Sequence, residues 1–172
     1  MPPRAPVVWA SSAVGSERFR QRLDERHREL TVQAKVRGRT YRRSRSAAGS
    51  DEVMRLRTDF LAALGRLTAF EVAIVRLARC RYAAQLTVSA DDLTRDYFEL
   101  WQLVARRGAD QRDLDERASE RLDYFAIQLG RLEGIADALV VAGRNVRLFP
   151  LPTVPWVTIS ESERPYTFHE GN

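Results

Sequence analysis

Apolar side chains recur with a helical period through the middle of the chain. From Val53 they fall at Val53, Leu56, Phe60, Ala63, Leu67, Phe70, Ile74 and Leu77. Alternating steps of three and four, sustained over this span, mark an amphipathic helix. Ser50 stands before it as an N-cap, Asp51 and Glu52 suit its positive end, and Arg79 and Arg81 suit its negative end. The pattern predicts a helix from residue 50 to about Leu86, about 50 Å long. A second helix is expected after Ser89, with Ser89 and Asp92 as a capping-box-like pair. Leu93, Tyr97, Leu100, Trp101 and Val104 line its apolar face up to Arg106, Arg107 and Gly108. A third is expected from near Asp110 to a terminal glycine at Gly143.

The third helix carries two non-polar faces. One runs Ala118, Leu122, Phe125, Leu129, Leu132, Ala136 and Leu139; the other repeats small residues at Ala126, Gly130, Gly134, Ala138 and Ala142. Small residues at that spacing let a second helix approach closely. Two such faces exceed what a three-helix bundle needs to bury, so the surplus predicts a subunit interface through Ala126, Gly130, Gly134 and Ala138. Beyond Gly143, Pro150, Pro152, Pro155 and Pro165 forbid a continuous helix. Phe149, Trp156, Ile159 and Phe168 make that tail too apolar for a plain solvated one. An extended segment packed on its own body or on a neighbour is expected, with Trp156 at the subunit interface. The alternation VTIS within it forms a strand only with a partner.

Before Ser50 the pattern thins. Ser16 reads as a cap, and Phe19, Leu23 and Leu30 form a narrow stripe in a helix expected to run to about Val36 and to break at Gly38. Around that stripe the charge is segregated. Residues 1–50 hold 12 basic and 4 acidic side chains, net +8, residues 51–143 are net −3, and residues 144–172 are neutral. Lys35 is the only lysine in the chain. An arginine bias can reflect genome composition, but a uniform bias does not confine the excess to one region. Guanidinium groups also pair bidentately with phosphate, which ammonium does not.

The division expected is therefore a basic arm at 1–50, a helical bundle at 51–143 and an extended tail at 144–172. The fold class is all-α: a basic helical N-terminal arm, an antiparallel bundle of long helices, and a Pro- and aromatic-rich tail. The candidate phosphate-binding residues are Arg18, Arg20, Arg22, Arg26, Arg28, Lys35, Arg37, Arg39, Arg42, Arg43 and Arg45. From Leu30 to Ser50 there is no acidic residue. Such a run also occurs in solvated tails and address signals; phosphate neutralisation with counterion release is the functional alternative. Tyr41 stacks on a base or covers a neighbouring subunit. RGRTYRRSRS contains no Asn or Gln to read an adenine edge, so no base readout is expected.

No catalytic chemistry is expected. His27 and His169 are the only histidines, and Cys80 is a lone cysteine without a metal or disulfide partner. Asp91, Asp92, Asp96 and Glu99 read as acids of a helix start and a solvated face rather than as metal ligands. No cofactor is expected. Met1 to Gly15 does not read as a secretory signal, and no stretch approaches the ~18 uninterrupted apolar residues of a membrane span.

This layout of basic helical arm, long-helix bundle and apolar extended tail resembles the major capsid proteins of filamentous archaeal viruses, the rudivirus, lipothrixvirus and tristromavirus group. The resemblance is one of architecture; the long apolar tail and near-absence of lysine depart from it. It implies a capsid subunit in a helical virion, paired with itself or a paralogous subunit, wrapping double-stranded DNA in A form without reading sequence. It also implies a virion location after assembly in the host cytoplasm; without it a cytoplasmic location is expected. Two other classes fit the residues: a small helical accessory subunit of a nucleic-acid machine, such as a CRISPR effector small subunit or phage packaging component, and a protein-interaction bundle with a basic tail.

Overall fold

The computed structural model describes residues 17–109 and 118–152. The Ser16 cap, the helix start near Asp110, Trp156 and the VTIS alternation lie outside these residues. Within them the chain is all-helical, with α1 (Glu17–Ser44), α2 (Ser50–Ala78), α3 (Ala83–Ala109) and α4 (Ala118–Val141). Residues 144–152, the described part of the tail, form no regular helix.

The first helix differs most from expectation. α1 does not end at Val36 or break at Gly38; it continues to Ser44. Phe19, Leu23, Arg26, Leu30, Ala34 and Gly38 are its buried positions, in steps of four and three. That spacing gives one continuous stripe, and the stripe lies on α2 and α4. Gly38 is part of the seam: a Cβ there would meet the Phe60 ring 2.8 Å away. Close approach, not chain flexibility, explains the glycine. Residues 17–44 are thus a bundle helix, and the expected boundary at residue 50 separates two packed helices.

Contacts set the helix directions. Gly38 meets Phe60 and His27 meets Glu71, so α1 and α2 run antiparallel. Arg76 meets Asp96 and Cys80 meets Ser89, so α2 and α3 do the same. Gly130 faces Ala62 and Gly134 faces Arg66, which makes α2 and α4 parallel. α2 and α4 form the central pair, and the backbones of α1 and α3 do not approach each other closely. At this centre the helices approach backbone to backbone. A Cβ on Gly130 would lie 2.0 Å from the Ala62 carbonyl oxygen, and one on Gly134 2.2 Å from that of Arg66. Backbone atoms cannot swing aside as a side chain can, so the approach depends on these glycines.

The interface expected between subunits is therefore occupied within one chain. Ala126, Gly130, Gly134 and Ala138 are all buried, and the two glycines meet α2. The second face is not surplus, because α1 is a fourth packed helix and α4 becomes the inner helix, buried at every position from Leu132 to Leu139.

Two boundaries also move. α2 stops at Ala78 rather than near Leu86, and Ser89 lies inside α3 rather than at its start. The reversal at residues 79–82 contains neither Gly nor Pro, so it has no sequence breaker. It is held by Arg79 and Cys80 N–H groups donating to the Leu77 carbonyl, and by Arg81 N–H donating to the Gln85 side chain at 2.7 Å. The N-cap of α2 is Gly49, with no side-chain capping bond; Ser50 is its first helical residue. Gly143 is as expected. It has φ 81°, its N–H donates to Val140 O, and the Arg144 N–H donates to Leu139 O at 2.7 Å. Those two bonds make a Schellman motif.

Candidate nucleic-acid interface

The basic residues of α1 divide by helical position. A stripe repeating every three to four residues puts Arg26 on the buried side, only 2 % exposed. Its Nη2 donates to Asp137 Oδ1 at 2.9 Å and its Nη1 to Glu29 Oε2 at 2.6 Å. The Asp137 carboxylate also accepts from Arg66 Nε at 2.6 Å and from Arg147 Nη2. Glu133, one turn before Asp137, stands 3.3 Å from Arg147. Burial pushes the Asp137 carboxyl up, but the hydrogen bond and charge of Arg66, with the charges of Arg26 and Arg147, outweigh it and hold the group below the usual range. Arg26 is a structural ion-pair partner, not a phosphate contact. The network joins α1, α2, α4 and the segment after α4. Glu133 and Asp137, two acids one turn apart in an otherwise apolar stretch, were its only sequence signal.

Arg37 also turns inward. It lies 3.8 Å from Asp59 on α2, and partial burial lowers its pKa against the pull of that carboxylate. Tyr41 stacks on Phe60, ring centroids 6.1 Å apart and planes at 25°. The ring's stacking partner is in the same chain.

The remaining cations face solvent. Arg28, Lys35, Arg39 and Arg42 follow one another at steps of seven, four and three, which places them on one side of α1. The run is about 21 Å long at 1.5 Å per residue. Arg43 and Arg45 continue it around the turn into α2, and both are exposed. Lys35, Arg39, Arg42, Arg43 and Arg45 have no acidic partner among the described residues. Part of this charge suits the negative end of α1, where Arg42 and Arg43 occupy the last turn. Arg18, Arg20 and Arg22 are exposed at the opposite end, but Glu17, Asp24, Glu25 and Glu29 intersperse them. The structure thus splits the expected set: a concentrated patch at the C-terminal half of α1, a mixed-charge N-terminal half, and two arginines turned inward.

Of Asp91, Asp92, Asp96 and Glu99, three are ion-pair partners: Asp96 of Arg76, Asp92 of Arg95 and Asp91 of Arg144. Among the described residues, no group of three or more His, Cys, Asp or Glu side chains could hold a metal ion. No described helix is long and apolar enough to cross a membrane. No family model, curated protein or solved structure matches the chain.

Proposed function

We propose that this chain is a non-catalytic nucleic-acid-binding protein that lies along a duplex, DNA by preference, and neutralises its phosphates without reading sequence. The supporting observation is the patch of Lys35, Arg39, Arg42, Arg43 and Arg45, exposed and without acidic partners among the described residues, in an acid-free stretch. Duplex DNA carries one charge per ~1.7 Å of axis, so the ~10 Å from Lys35 to Arg42 spans about 6 phosphate charges. Lys35, Arg39, Arg42 and Arg43 stand on a packed helix, so little backbone ordering entropy opposes their contact with a polyanion. A coat or capsid role along the polymer is the extension of this reading; it requires copies that also meet one another.

The test is fluorescence anisotropy with two labelled duplexes of unrelated sequence over a salt series. Equal affinity for both and a steep negative salt dependence support the reading. Indifference to duplex, or a strong preference for one sequence, rejects it. Deleting residues 1–50 is unsuitable, because it removes a core helix with the patch. Replacing Lys35, Arg39, Arg42, Arg43 and Arg45 by Gln leaves the core intact.

A further inference from the structure

Four serine or threonine hydroxyls lie in and beside the basic patch, at Thr40, Ser44, Ser46 and Ser50. The fold treats them differently. Thr40 and Ser44 are inside α1 and donate backward to its carbonyls, Thr40 Oγ1 to Val36 O at 3.1 Å and Ser44 Oγ to Tyr41 O at 2.8 Å. Ser50 opens α2, and its Oγ donates to Asp51 at 3.5 Å. Ser46 belongs to neither helix: it is exposed in the turn between them, and its hydroxyl has no hydrogen-bond partner among the described residues. Arg42, Arg43 and Arg45 stand four, three and one residues before it. All three are exposed and without acidic partners among the described residues.

We propose that Ser46 is a phosphorylation site that lowers the affinity of the patch for duplex; the regulatory part rests on the nucleic-acid reading above. The modifying enzyme is a serine kinase directed by arginine three residues before its target, with a nucleoside triphosphate as donor. Ser46 Oγ attacks the γ-phosphorus. The Oγ–P bond forms and the bond to the β,γ-bridging oxygen breaks, so that the diphosphate leaves with that electron pair. The hydroxyl proton passes to the kinase's own base. A kinase takes its target in an extended segment, and residues 45–49 are already outside both helices. The Ala47 and Ala48 N–H groups, which donate to Ser44 O at 3.1 and 3.0 Å, are the bonds to open. A Cβ on Gly49 would meet nothing within 4 Å, so this turn stands clear of the bundle.

The consequence follows from charge. A phosphoserine carries about −1.5 to −2 and three strong acceptor oxygens. Lys35, Arg39, Arg42, Arg43 and Arg45 are the cations of the patch, so its charge falls from about +5 to about +3. Guanidinium groups pair with phosphate bidentately, and those that hold the chain's own phosphate are withdrawn from the polymer's. With about two phosphate contacts fewer, the salt slope falls by about 1.8 and the affinity roughly tenfold.

The test has two arms on the full-length protein. In the first, without nucleic acid, the protein meets ATP and a serine kinase that requires arginine three residues before its target. Fragmentation mass spectrometry is expected to place the phosphoryl group on Ser46 and to find none on that turn in Ser46→Ala. In the second, phosphoserine is inserted at position 46 during translation, which needs no kinase. That form is expected to bind duplex roughly tenfold more weakly than the unmodified protein, with a salt slope smaller by about 1.8 and unchanged helix content by circular dichroism. A phosphoryl group carried by Thr40, Ser44 or Ser50 instead, no modification of Ser46, or a phosphoserine that leaves affinity and slope unaltered each overturn the proposal. The first arm contains no duplex, which separates the two readings. Unmodified protein indifferent to duplex overturns the function and the switch together, whereas duplex binding that ignores the phosphoserine overturns the switch alone.

Discussion

Two groups of arginines, both with members on α1, occupy opposite environments. Around Asp137, Arg26, Arg66 and Arg147 converge on one carboxylate with no side-chain exposure, fixed by short charge-assisted hydrogen bonds. At the other end of α1, Arg39, Arg42 and Arg43 stand in solvent without an acidic partner among the described residues. The residue type is the same, so composition cannot separate the groups; position on the helix does. A guanidinium in the buried stripe acts within the fold, and one on the opposite side is available to a polyanion. Removing a member of the first group should cost stability and spare binding. Removing the second should do the reverse.

The largest effect is expected at the hub. Asp137→Ala leaves three guanidinium groups beside an empty position and should destabilise the protein by about 3–5 kcal/mol in urea unfolding. The same carboxylate gives a pH signature. Its folded pKa is below the unfolded one, so the unfolded chain binds more protons in the window between them. Its contribution is therefore complete above the ordinary aspartate range and is lost as pH falls through the folded value. Stability of the wild type should drop over that acid window, and the Asp137→Asn variant should lose this component of the drop. Binding near neutral pH should stay flat, because guanidinium does not titrate there.

Replacing all five patch cations by Gln should weaken duplex binding at least ~100-fold, about 2.7 kcal/mol, with the unfolding midpoint nearly unchanged. An equal loss of stability would mean that the patch is structural and would erase the comparison. Arg26→Met should cost about 1.5–3 kcal/mol of stability, the worth of a charged hydrogen bond, while duplex affinity per folded molecule is kept. The smallest effect is the sharpest. Arg42→Gln alone should reduce the salt slope of binding by about 0.9, one phosphate contact, and leave stability unchanged. A slope unaltered by Arg42→Gln but altered by Arg20→Gln would move the interface to the N-terminal half of α1.

The helices were legible because their signal is local. The α2 stripe, the α3 face from Leu93 to Val104 and the Gly143 terminus each follow from spacing within one element. The reversal at residues 79–82 was not legible, since hydrogen bonds rather than Gly or Pro make it. Charge was legible only as a regional sum. It marked residues 1–50 as the basic region but not which of its cations face water.

Periodicity along one chain states that a face must be covered; it does not state by what. The small residues of α4 therefore announced a close neighbour and left open whether it was α2 or another molecule. Tertiary structure decided that, by making α1 a fourth helix and α4 the centre. It decided the fate of Arg26 in the same way. Its partner Asp137 lies 111 positions along the chain, and no helical period couples residues across that distance. Sequence by itself determined the helical class, the stripes and the basic region. Only packing, which brings distant side chains into one low-dielectric core, determined which arginines are held within the fold and which face solvent.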